Sequence, residues 1–201
     1  MPDDKLKRFR ELVSIAHNCN ACADLRERTA VLNELNGALQ ARVLFVAEAP
    51  GRNGGDKTRV PLAGDASGAN FTKFINSINL TRAEVFVTNA VLCNPRKPSG
   101  ANRKPTRTEI ANCSTFLRRQ IETIAPRVVV TLGAVALEAI KTVEYHQFSL
   151  RRHAGAVLDW NARKLVPLYH PSPQVLASHR RAHEQLSDYQ AVARALAQEI
   201  E

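Results

Sequence analysis

The chain has 201 residues, 44% of them hydrophobic, which is enough for one substantial core and too few for two independent ones, so a single domain over 1–201 is expected. Its 28 Lys and Arg against 19 Asp and Glu leave a formal charge of +9, which favours a polyanionic partner and leaves nucleic acid and an acidic membrane surface both open. No apolar run approaches the roughly 20 residues that cross a bilayer. The opening MPDDKLKRFRELV lacks the apolar centre of a secretory signal, so a cytoplasmic, monomeric protein that needs no membrane is expected. In a reducing compartment the four cysteines, Cys19, Cys22, Cys93 and Cys113, are inert core thiols or metal ligands rather than disulfides.

In chain order, Leu6, Phe9, Leu12, Val13 and Ala16 fall at helical spacing over residues 3 to 17, and the pattern stops at Cys19-x-x-Cys22. Arg42 to Glu48 is a short apolar run closed by Ala49-Pro50-Gly51, the form of a buried parallel strand ending in a turn. Further strands fit Val85 to Thr88 and Arg127 to Leu132, with a weaker pair near 156–159 and 164–169. Thr106-Arg-Thr-Glu109 is a capping box, and its helix should run to Ile124, before Pro126. Another helix should begin near Gly133, and a long final one should occupy 179 to 199. This alternation predicts an α/β fold, a three-layer α/β/α sandwich around a central, mostly parallel four-stranded sheet, with the site at the carboxyl ends of its strands.

The loops hold the unusual composition. Gly51 to Gly68 is glycine-rich, 94–105 is proline-rich and cationic, and a third loop holds His170-Pro171-Ser172-Pro173. Glu48-Ala49-Pro50-Gly51, Thr88-Asn89 through Cys93-Asn94-Pro95, Leu132-Gly133 and His170-Pro171-Ser172 follow one another in that order. Together they resemble the iron-sulfur, or family 4, branch of the uracil-DNA glycosylase superfamily over roughly residues 15 to 175. The segment Gly64-Asp65-Ala66-Ser67-Gly68 resembles the G-D-x-S-G context of family 5. Where family 4 shows Pro-Phe, this chain has Pro61-Leu62.

The resemblance implies a monofunctional DNA repair hydrolase that releases free uracil from DNA and leaves an abasic site. Such chemistry needs donors aimed at the departing base and a carboxylate near the cationic sugar. By resemblance His170 would donate to uracil O2, and backbone of the turn at Ala49 and Gly51 would hold the base. Asn89 can accept from N3–H and donate to O4, a pattern that cytosine reverses. The carboxylate is Asp65 by the family 5 likeness or Glu48 by the family 4 likeness, with Asp56 third. Leu62 replaces the stacking ring, or Phe71 supplies one.

A base inside a duplex must be flipped out, so the enzyme works on single strands or needs a wedge in double-stranded DNA. Gln174, Val175 and Leu176 stand where relatives insert one, Ser172 before them is expected to touch the DNA, and Arg180, Arg181, Arg103 and Lys104 are expected to meet its backbone. Arg96, Lys97, Arg107 and a hairpin with Arg151, Arg152 and His153 extend the basic set. The uracil-crosslinking relatives carry a histidine in an extended basic loop; the 94–105 loop here has none, so turnover and no trapped adduct are expected. Cys19, Cys22, Cys93 and Cys113 form a set that fits zinc or a [4Fe-4S] cluster by spacing alone, and the resemblance implies the cluster. The competing functions are a glycosylase for hypoxanthine or xanthine and a non-catalytic nucleic-acid-binding member of the same fold.

Overall fold

In a computed structural model, residues 2–25 and 27–198 are described. Its helices and strands, in order, are α1 (Pro2–His17), β1 (Val43–Ala47), α2 (Gly55–Thr58), α3 (Ala66–Asn76), β2 (Val85–Asn89), α4 (Arg107–Ile124), β3 (Val128–Leu132), α5 (Ala134–Ala139), α6 (Leu150–His153), β4 (Leu158–Trp160), β5 (Arg163–Leu168), α7 (Pro173–Ser178) and α8 (Ala182–Ala197). The sheet has five strands in the order β2-β1-β3-β5-β4, one more than expected. The extra one is the edge strand β4. It pairs antiparallel with β5 across Asn161 and Ala162, both at positive φ, which is the backbone that a tight two-residue hairpin requires. At three residues, β4 gives only the weak signal read near 156–159, which the four-stranded expectation did not count.

The other four strands run parallel, and β1, β2 and β3 are buried along their whole length. Side chains alternate between two cores, as the pleat dictates. Leu44, Val46, Phe86, Val129 and Leu165 face one, shared with Phe9 and Leu12 of α1 and Leu117 and Ile121 of α4. Phe45, Val87, Val130 and Val166 face the other, shared with Phe74 of α3 and Tyr189 and Val192 of α8. That gives the expected three layers.

The start of α4 is the expected one. Thr106 Oγ1 accepts from Glu109 N at 3.1 Å, Glu109 Oε2 accepts from Thr106 N at 2.7 Å, and the helix ends at Ile124. The final helix begins three residues later than expected, at Ala182, after a separate short helix, α7, that Ser172 caps, while the predicted end at 199 lies outside the described residues. Arg151, Arg152 and His153 lie on the short helix α6, not in a hairpin.

Because β1, β2, β3 and β5 are parallel, their carboxyl ends share one edge of the sheet. The chain leaves that edge at Glu48, at Asn89, after Leu132 and at Tyr169-His170. Residues more than a hundred positions apart are thereby delivered to one place.

Candidate active site

At that edge lies a cavity of about 510 Å³, and Asn89 and His170 both line it. Glu48, Ala49, Gly51, Leu62, Asp65, Ser172 and Gln174 border the same space. The last residue of β2, Asn89, is only 2% exposed, and its Nδ2 has no hydrogen-bond partner among the described residues. A buried amide donor without a partner is costly, by roughly 1 to 3 kcal/mol. Inside a concave site, that cost is recovered when a ligand carbonyl takes the bond.

His170 is half-buried, and burial drives its imidazole down to about 4, with the neighbouring Asp65 carboxylate pulling the other way. At neutral pH the ring is therefore uncharged and presents one N–H donor and one acceptor. Glu48 is pushed upward by burial, moderated by the positive charge of Lys104. Asp65 caps α3, its Oδ1 accepting from Gly68 N at 2.9 Å. Its Oδ2 packs so closely on the glycine loop that a Cβ on Gly54 would overlap it. Asp56 is elsewhere, in ion pairs with Arg96 at 2.6 Å and Arg59 at 3.5 Å.

Leu62 reaches the cavity from a backbone at φ +51°, held there by the packing of its carbonyl on Gly68. Phe71 does not reach it. Its ring is fully buried, edge-on to Phe45 at 5.0 Å in the second core, so the stacking role considered for it is withdrawn. Its helical position points it at the sheet, and it is not among the residues that line the cavity.

Two of the expected phosphate contacts are committed within the protein. Arg103 forms a bidentate pair with Glu109, at 2.8 and 2.6 Å, and Arg180 grips Asp188 at 2.9 and 2.7 Å and Glu184 at 3.0 Å. Both guanidiniums fasten loops to helices, and their charge is already balanced. Lys104 and Arg181 are exposed and stand in no ion pair among the described residues. Ser172 spends its hydroxyl on capping α7. Gln174 is exposed at the cavity mouth, Val175 is half-buried beside it, and Leu176 packs on the second core.

Sequence reasoning missed Asn94. It is 1% exposed and lines the cavity, donating to Pro50 O and, at 3.0 Å, to Asn102 Oδ1. Its place beside Cys93 and before Pro95 was the available signal.

The four cysteines are all free thiols. Cys22, Cys93 and Cys113 pack together with Leu25 and Val91, against Ala49 of the turn that borders the cavity. Burial pushes Cys93 up to about 11 and Cys113 up to about 12, and in both cases Cys19 and Cys22 add to the rise. Cys93 and Cys113 therefore both lie within electrostatic reach of Cys19 and Cys22. Asn112 Nδ2 approaches Cys22 Sγ at 3.4 Å, an N–H suited to a thiolate. Yet among the described residues no three His, Cys, Asp or Glu side chains close around a single metal ion.

The sequence model of the Uracil DNA glycosylase superfamily matches residues 36–196. The chain is 38% identical to the type-4 uracil-DNA glycosylase of Thermotoga maritima over 156 residues, covering 77% of this chain and 76% of the relative. It is 33% identical to the type-4 uracil-DNA glycosylase of Archaeoglobus fulgidus over 91% of this chain and 88% of that one. With the type-5 uracil-DNA glycosylase of Pyrobaculum aerophilum it shares 32% identity, over 76% of this chain and 70% of that protein.

Proposed function

The chain belongs to the uracil-DNA glycosylase superfamily, and from that premise we propose that it excises uracil from DNA, hydrolysing the N-glycosidic bond to leave free uracil and an abasic site. The observation that carries this reading is the unpartnered amide of Asn89 in the same cavity as His170.

As the C1′–N1 bond lengthens, positive charge grows on the sugar and negative charge spreads to O2 and O4 of the base. Asn89 donates to O4 and accepts from N3–H, which selects uracil over cytosine. His170, uncharged, donates to O2 where the charge develops. Leu62 offers an aliphatic face to the ring, and the backbone of Ala49 and Gly51 borders it. Asp65, its orientation fixed by the Gly68 cap, is the carboxylate that accepts the proton of the attacking water. Glu48 faces the cationic sugar. Gln174 and Val175 form the wedge that fills the vacated stack, and Lys104 and Arg181 supply phosphate contacts.

Cys22, Cys93 and Cys113 pack together, and with Cys19 they are an all-sulfur donor set of the kind that a [4Fe-4S] cluster takes. Cys19, Cys22, Cys93 and Cys113 would hold it. When bound, it would cross-link the segment after α1 to the loop after β2 and to α4, behind the turn at Ala49. No step of the hydrolysis uses it.

A labelled oligonucleotide carrying one uracil, treated with enzyme and then alkali, tests the reading. Wild type should cleave it, and Asn89→Ala and His170→Ala should each lower the single-turnover rate by about a hundredfold or more. A wild-type protein that binds the strand and leaves uracil in place would refute it. The absence of histidine from 94–105 further predicts that no protein–DNA adduct survives a denaturing gel.

A further inference from the structure

Among the described residues the imidazole of His170 makes no hydrogen bond, and the Asp65 carboxylate is the charge it feels. Both ring nitrogens are thus free for a substrate, and the aim of the ring has to come from its backbone. That backbone is held from three sides. Gln185 Nε2, near the start of α8, donates to His170 O at 3.3 Å, and Asn70 Nδ2, on α3, donates to Pro171 O at 2.9 Å. On the third side stands Gly133, at φ +97°, where a Cβ would lie 3.7 Å from the Cβ of His170.

Gln185 is 1% exposed. The same Nε2 donates to Arg180 O, also at 3.3 Å, and Oε1 has no partner among the described residues. Two carbonyl acceptors settle that the nitrogen end of the amide faces the turn. Arg180 is itself held by Asp188 at 2.9 and 2.7 Å and by Glu184 at 3.0 Å, so its carbonyl is a fixed point from which the amide takes its direction. One N–H is spent on that local carbonyl, and the other is thereby aimed at His170 O. The arc from Pro171 to His179, which carries α7, is closed at both feet by a single buried side chain.

We propose that Gln185 is a positioning residue for excision: together with Asn70 it sets the turn at His170 and Pro171, and so the aim of the imidazole, before DNA arrives. This rests on the glycosylase reading, in which His170 donates to O2 as negative charge develops there. A donor helps only where its N–H already points at that charge, and a displacement of about 1 Å is enough to cost about a hundredfold in rate. Neither Gln185 nor Asn70 lines the cavity, so both act through His170, and their loss falls on the chemical step and not on binding.

Gln185→Met and Asn70→Ala, in the full chain, are each measured alone and in a His170→Ala background, for single-turnover excision and for affinity to a uracil-containing single strand. Methionine matches glutamine in length and removes the unpartnered Oε1, and Asn70 is only half-buried, so failure of the first variant to fold leaves the second as the test. Each should lower the excision rate by about tenfold to a hundredfold, with DNA affinity within about threefold of wild type. In the His170→Ala background each should change the rate by less than about twofold, because the group they aim is gone. A purely structural role predicts the same loss in both backgrounds. That result, a wild-type rate in either variant, or equal losses of rate and affinity would overturn the clamp and leave the glycosylase reading intact. A wild-type protein that excises no uracil would overturn both.

Discussion

His170 offers a test in which stability and mechanism meet. Its imidazole sits at about 4 in the folded protein against an ordinary 6.5, with burial as the cause. The unfolded chain therefore takes up the proton first. Stability is full above 6.5, falls as pH drops through 6.5, and stops falling near 4. Between pH 8 and pH 5 the loss from this residue is about 2 kcal/mol, from one pKa unit being 1.36 kcal/mol and the proton being mostly bound in the unfolded chain at pH 5. The perturbation is His170→Asn, which keeps a polar side chain and removes the titration. Urea unfolding at both pH values, on both proteins, gives the difference directly, because the other titrating groups are common to the two and cancel. Wild type should lose about 2 kcal/mol more than the variant on acidification. Equal losses, or an imidazole that titrates near 6.5 by NMR, would refute both the buried neutral histidine and its role as an uncharged donor to O2.

Other outcomes follow from the ion pairs, the thiols and the glycine loop. Arg180→Ala should destabilise the fold by about 1 to 3 kcal/mol by stranding buried Asp188. Arg181→Ala should leave stability alone and reduce the salt dependence of DNA binding by about one unit of slope, measured by anisotropy. Protein purified without oxygen should be brown, absorb near 400 nm and contain iron, and Cys113→Ser should lose both signals; a colourless zinc protein would refute the cluster. Gly68→Ala would set a Cβ 2.6 Å from Leu62 O, and should expel Leu62 from the cavity wall and lower both the thermal midpoint and excision.

The layers of this fold are local properties of the chain. Each strand is a run of apolar residues, the α4 cap is written in Thr106 and Glu109, and parallel strands must leave their loops on one edge, so Glu48, Asn89 and His170 were legible as neighbours before any coordinates. The fifth strand was only half visible, since β4 is three residues of mixed burial whose pairing depends on the two left-handed residues after it.

What the sequence alone could not assign is how each polar side chain spends its bonds. Arg103 and Arg180 look like free cations in a basic loop, yet Glu109 and Asp188 take them, because a charge pairs with whatever carboxylate the folded backbone sets within reach. Phe71 and Leu62 are both apolar and near in sequence, and only the direction of α3 and the positive φ at Leu62 send one into the core and the other into the cavity. Asn102 meets Gly51 and Asp65 across dozens of residues, a convergence that no spacing encodes. Composition and periodicity specify which elements form, whereas distances between side chains exist only once those elements are packed.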